Sequence, residues 1–174
     1  MTGYLALLGF SLTIPAANWL IGNVGTVCAS QGPCLVPVAP GLMAPSGVLM
    51  IGLALVLRDL VHARLGWRWA LAAIAVGAAL TGFVAPPALA VASVAAFTVS
   101  ELADMAVYAP LARRRLMLAV AASGAAGAAI DSAVFLLLAF GSLDYLAGNV
   151  VGKLWMTALV VPVLWTMRRR SIAA

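Results

Sequence analysis

The sequence predicts an all-α polytopic membrane protein: a single domain, residues 1–174, of six transmembrane helices with the N- and C-termini cytoplasmic. Three observations predict it. First, 65% of the residues are hydrophobic and 9% charged, with a mean hydropathy of +1.13. A soluble domain carries about 25% charged residues, so lipid must cover much of this surface. Second, six apolar stretches approach the roughly 20 residues that a spanning helix needs. Third, eight of the ten Lys/Arg sit on alternate connections, in three short clusters: Arg64 and Arg68, Arg113 to Arg115, and Arg168 to Arg170. Clusters of this kind set topology. A nucleic-acid partner, which the net charge of +5 invites, would need a continuous basic face on a folded domain.

The six helices are expected at about Tyr4–Ile21, Pro45–Ala63, Trp69–Val84, Ala88–Pro110, Leu116–Phe140 and Leu146–Met167. No Lys or Arg precedes the first, so it reads as a retained helix rather than a cleaved signal. The third ends at Pro86-Pro87, which forces a turn and predicts a tight hairpin with the fourth. Connections 22–44, 85–87 and 141–145 hold no Lys or Arg and are assigned to the outside of the cytoplasmic (inner) membrane.

The first outer connection, Gly22 to Ala44, is rich in Gly and Pro and reads as a loop. It carries both cysteines, Cys28 and Cys34, where a disulfide is permitted; free thiols are the alternative. No His lies near and the spacing is not CxxC, so no metal is expected there, and no other cofactor. In helix six Gly148-Asn-Val-Val-Gly152 matches GxxxG. Close packing inside one bundle is the simpler use of such small residues; a homodimer face is the other.

The informative residues are ionisable groups in apolar sequence. Arg58 and Asp59 lie in helix two, Glu101 and Asp104 in helix four, Asp131 in helix five and Lys153 in helix six. An ionised side chain at the bilayer centre costs ~2.5–3.5 kcal/mol on insertion scales, so these should face one another or a cavity. At about 1.5 Å per residue they form two layers. The outer holds Asn18, Asp131, Asn149 and Lys153, with Asn149 and Lys153 on one helix face; a purely structural ion pair between helices is the alternative use of Asp131 and Lys153. The inner holds Arg58, Asp59, Glu101, Asp104 and His62, and suits a gate or a coupling device; the alternatives are an Arg58–Asp59 pair that snorkels to the inner surface and a juxtamembrane His62. Trp67, Trp69 and Trp165 read as interfacial anchors. Trp19 and Trp155 adjoin polar residues and offer faces for stacking a flat base; for Trp19 an anchor at the outer interface is the simpler use.

At these residues the chain resembles the vitamin uptake transporter family, which includes the queuosine-precursor transporters. Pro45-Ser-Gly together with Leu57-Arg58-Asp59-Leu60-Val-His62-Ala-Arg64-Leu-Gly66 resembles its helix-two signature, departing at His62 and Leu65. Ser100-Glu101-Leu-Ala-Asp104-Met-Ala-Val-Tyr108, with Arg113–Arg115 following, resembles its helix four. Ile130-Asp131-Ser-Ala-Val-Phe135 and Gly152-Lys153-Leu resemble helices five and six. The resemblance spans roughly 45 to 167. It implies a six-helix fold similar to the substrate-binding components of energy-coupling-factor transporters, and uptake of 7-cyano-7-deazaguanine or 7-aminomethyl-7-deazaguanine. A guanine-like edge offers adjacent N–H donors that one carboxylate accepts in a fork. Asp131 or Glu101 then takes the donor edge, Lys153 or Asn149 the carbonyl, and Trp155 the ring face.

The expected partners are a small-molecule substrate, the lipid bilayer, and either a second copy or an energy-coupling module. The rival function is a vitamin-binding subunit that needs such a module, since no GxxxxGK[ST] is present. No enzyme is expected: HExxH and Gly-x-Ser-x-Gly are absent, and Asp131 lacks a Gly-x-Gly-Asp context.

Overall fold

A computed structural model describes residues 2–28, 32–85, 87–112 and 116–172, with side chains at all of these except 2, 63, 84, 105, 108, 109, 112, 116, 117, 119–121 and 160–172. Six helices run in the order α1 Thr2–Asn23, α2 Val48–Leu65, α3 Trp67–Val84, α4 Pro87–Ala112, α5 Leu116–Phe140 and α6 Leu146–Ile172. Arg113–Arg115 and Pro86 lie outside the described residues, as do the side chains of Trp165 and Arg168–Arg170.

The distribution of side chains is the inverse of a water-soluble core. Alanines fill much of the interior, among them Ala17, Ala54, Ala73, Ala92, Ala96 and Ala128, while Leu5, Leu8, Leu12, Val91, Leu102 and Leu159 face outward and Phe83 is 88% exposed. Small residues inside let helices approach closely, and large apolar ones outside suit lipid. Three helical segments are long and apolar enough to cross a membrane: Gly3–Asn23, Pro87–Asp104 and Ala122–Phe140. Trp67–Phe83 is apolar but shorter, and Arg58, Asp59 and Arg64 interrupt the apolar run of α2. The molecule is a membrane protein.

The all-α expectation needs one correction. The connection read as a loop between α1 and α2 holds a three-stranded antiparallel sheet of β1 Val27–Cys28, β2 Cys34–Ala39 and β3 Leu42–Pro45. Leu35-Val-Pro-Val supplies the β-branched residues that fit a pleated surface. Pro40-Gly41 makes the turn between β2 and β3, with Gly41 at φ +73°, a value that favours glycine. Cys28 and Cys34 stand opposite one another in the register and form a disulfide. Thr26 N–H donates to Leu35 O at 2.8 Å and Ser46 N–H to Cys34 O at 2.9 Å, so both ends of the sheet are tied to β2. A disulfide closing so short a loop contributes about 2 kcal/mol. Replacing Cys34 by Ser should therefore speed amide hydrogen exchange at Thr26 and Ser46 while leaving the helices protected.

The helices fall into two groups. α1, α2 and α3 share a core of Phe10, Ala54 and Ala73 with Leu7, Ile14 and Leu57, and α6 lies against α2. α4 and α5 form a closely packed hairpin that touches the first group mainly through α3 and α6. The tight α3–α4 hairpin expected from Pro86-Pro87 is thus a tight connection without an intimate helix pair. Ala85, which precedes the proline pair, is extended (φ −117°, ψ 156°), as a residue before proline must be, and the chain swings away there. α2 and α3 are joined by Gly66 alone, at φ +90°, where only glycine is comfortable.

Gly148 and Gly152 pack inward. A Cβ on Gly148 would collide with the Met43 carbonyl of β3, and one on Gly152 would lie 2.8 Å from Val48. Gly52 of α2 does the same against α6, 3.1 Å from the Lys153 backbone. These glycines seat the sheet and α2 against α6.

Candidate functional site

Between the two helix groups lies a cavity of about 140 Å³ that every helix lines. It occupies the half of the bundle nearer the sheet. Its lining runs along α2 from Val48 to Arg58, along α4 from Leu89 to Phe97, and along α6 from Asn149 to Lys153. Pro45 and Gly47, where the sheet hands over to α2, form its roof.

One wall carries an ion pair. Lys153 is 2% exposed and its Nζ donates to Asp131 Oδ2 and, at 2.8 Å, to Ser132 Oγ. Ser132 in turn donates its hydroxyl to Ala128 O at 2.7 Å, which leaves its oxygen as the acceptor for Lys153. All three groups are satisfied, as burial demands. The pair joins α5 to α6.

The floor is a second ionic layer. Arg58 Nη2 lies 2.6 Å from Asp59 Oδ1, its Nη1 pairs with Glu101 Oε1, and its guanidinium sits 5.4 Å from the centre of the Phe97 ring. Arg58 thereby joins α2 to α4, and a cation over an aromatic face is attractive. Thus the Lys153–Asp131 and Arg58–Glu101 pairs both tie the α4–α5 hairpin to the other group.

Two amides complete the lining. Asn149 is 3% exposed, one helical turn before Lys153. Asn18 donates Nδ2–H to Ile14 O at 3.0 Å, which leaves its carbonyl oxygen to accept.

The structure brings Asn18, Asp131, Asn149 and Lys153 together around one cavity and puts Arg58 beneath them. Asp59 and Glu101 are held on the far side of Arg58 and do not line the cavity. Asp104 sits beside Gly127 of α5, below the floor. His62 is exposed. Trp155 is not at the cavity; it is 54% exposed and its indole N–H donates to Val38 O at 3.1 Å, pinning the sheet to α6. Residues two apart on a helix do not share a face, so Trp155 points away from Lys153. Trp19 is likewise exposed. The aromatic rings that do line the cavity are Phe10, Phe97 and Phe135. Two of them were findable by helical spacing, four residues before Glu101 and four after Asp131.

The model of the family described as "Putative vitamin uptake transporter" matches residues 81–167, 87 of the 174. The match covers α4, α5 and most of α6, with Glu101, Asp131, Asn149 and Lys153; the helix-two signature at 45–66 lies outside it. Comparison with curated proteins and with solved structures gives no significant match. A transporter family agrees with a membrane-embedded cavity whose charged groups are paired. On this evidence the chain belongs to the vitamin uptake transporter family.

Proposed function

We propose that the chain is an uptake transporter of the inner membrane that crosses it six times with both termini cytoplasmic. Its cargo is a queuosine precursor, 7-cyano-7-deazaguanine or 7-aminomethyl-7-deazaguanine. The observation that carries this reading is the central cavity, lined by all six helices and furnished with amides and aromatic rings, in a chain of this family.

The orientation rests on charge. Arg64 and Arg68 flank the α2–α3 junction, at the end of the bundle remote from the sheet, the sequence puts the other two Lys/Arg clusters after helices four and six, and basic loops stay in the cytoplasm. The disulfide-bearing sheet then faces the oxidising side, where a disulfide persists. In this frame the cavity lies in the outer half. The layer of Arg58, Asp59, Glu101 and Phe97 stands between it and the cytoplasm as an inner gate. Opening of that layer, with closure on the sheet side, would release cargo inward.

The test is uptake of radiolabelled 7-cyano-7-deazaguanine into proteoliposomes holding the purified chain. Saturable uptake into the vesicles, competed by unlabelled compound, is expected. Uptake of another heterocycle and of neither deazaguanine would overturn the cargo. Saturable binding with no uptake would instead make the chain a binding subunit that needs an energy-coupling module.

A further inference from the structure

The charged groups on the cavity wall are already compensated within the chain. Lys153 pairs with Asp131, and Arg58 with Asp59 and Glu101. The hydroxyls are occupied as well: Ser93 donates to Leu89 O at 2.8 Å and Thr81 to Gly77 O at 2.9 Å. Asn149 is different. It is 3% exposed and lines the cavity, yet among the described residues its side chain makes no hydrogen bond. A carboxamide holds two donors and an acceptor, and here they open onto the cavity instead of lying sealed among other protein atoms, so they are free for a ligand.

Resting on the assignment of this cavity as the transport site, we propose that Asn149 reads the ligand, and that the ligand is an uncharged ring with a cis-lactam edge. A carboxamide and a lactam are complementary. Asn149 Nδ2–H donates to the ring carbonyl while the ring N–H donates to Oδ1, in two parallel bonds of the kind an Asn makes with the adjacent donor and acceptor of adenine. The Asn18 carbonyl adds an acceptor from α1 for an exocyclic amine, and Phe97 and Phe135 give the ring apolar walls. The lack of charge follows from the paired ions. A cationic ligand would enter a site whose one lining carboxylate, Asp131, is already engaged by Lys153, and an unpaired charge out of water is strongly disfavoured. Of the two deazaguanines the cyano compound is neutral, while the aminomethyl compound carries an ammonium at neutral pH.

The experiment is calorimetric titration of the purified full chain in lipid nanodiscs with each deazaguanine, for the native protein, Asn149→Leu and Asn149→Asp. The native chain should bind the cyano compound at least about tenfold more tightly than the aminomethyl compound, the equivalent of one well-made polar contact. Asn149→Leu should lose at least about tenfold for the cyano compound while its Tm holds or rises, because an apolar side chain replaces an amide that the protein itself leaves unbonded. Asn149→Asp should narrow or invert the preference. Equal or tighter native binding of the cation overturns the proposal, and so does cyano binding by Asn149→Leu within twofold of native. A Tm lowered by several degrees in Asn149→Leu would make Asn149 a structural amide and also overturn it. If neither deazaguanine binds, the cargo assignment falls by itself, and hypoxanthine and thymine serve as uncharged lactams against thiamine as the cation. Asn149-dependent binding of a lactam then upholds the inference; binding of thiamine alone, or of no lactam, overturns it.

Discussion

Replacing Lys153 by Met should destabilise the protein by about 3–5 kcal/mol, the usual consequence of leaving one member of a buried ion pair without its partner. Lys153 is 2% exposed, and its ammonium is the group that Asp131 and the Ser132 oxygen share. Methionine fills similar volume, so packing is nearly kept and the cost falls on the orphaned carboxylate. Combining Lys153→Met with Asp131→Asn removes both charges and should recover most of the loss. Thermal unfolding of the four proteins of this cycle in one detergent measures it. A single variant as stable as the native chain, or a double variant no better than the single, would show that the pair is not what joins α5 to α6.

Gly148→Ala should cost about 2–3 kcal/mol, at the upper end for overpacking a tight site. The added methyl meets the Met43 carbonyl oxygen and lies 2.7 Å from its carbon. Both are backbone atoms of a strand fixed by its neighbours, so neither can rotate aside. The sheet must lift from the start of α6, and the Trp155 bond to Val38 O should loosen with it. Gly124→Ala on α5 is the control, with nothing within 4 Å of the new atom. It should be neutral or gain up to about 1 kcal/mol, since alanine is the better helix former. Tm values, with hydrogen exchange across residues 34–45, separate the two outcomes.

Helix placement was legible because hydropathy runs and breaker residues are local signals. α5 spans Leu116–Phe140, the range that hydropathy alone gives, and α6 begins at Leu146. The shared face of Asn149 and Lys153 was legible from their spacing. Depth along the helices put Lys153 and Asp131 in one layer and made them candidates for an interhelical ion pair; the share that Ser132 takes in it was not legible, since spacing within one helix is silent on which neighbour packs against it. The sheet was obscured by its own composition. Pro37, Pro40, Gly41 and Pro45 are loop signals by any local rule, yet Pro37 sits at the register irregularity of β2, Pro40-Gly41 make the turn and Pro45 ends β3, positions compatible with a short antiparallel unit held at the mouth of a bundle. Trp155 was misplaced by reading nearness in sequence as nearness in space. Asn149 was already a candidate for the ligand carbonyl, but its unfilled hydrogen-bonding capacity came from the structure, because that is a property of surroundings.

The pairing of Asp131 with Lys153 also bears on how the polypeptide is made. The acid is synthesised 22 residues before its base, so α5 leaves the ribosome with no counter-ion for it. A carboxylate at mid-bilayer costs ~2.5–3.5 kcal/mol, while each Leu, Ile, Phe or Val returns about 0.3–0.6 kcal/mol. α5 supplies these in Ile130 and in the run Val134 to Leu138, and it holds the most apolar of the three membrane-length segments. Its composition lets it enter lipid alone while it waits. The later α6 then arrives where a complementary charge is already installed, and the order of translation becomes an order of assembly.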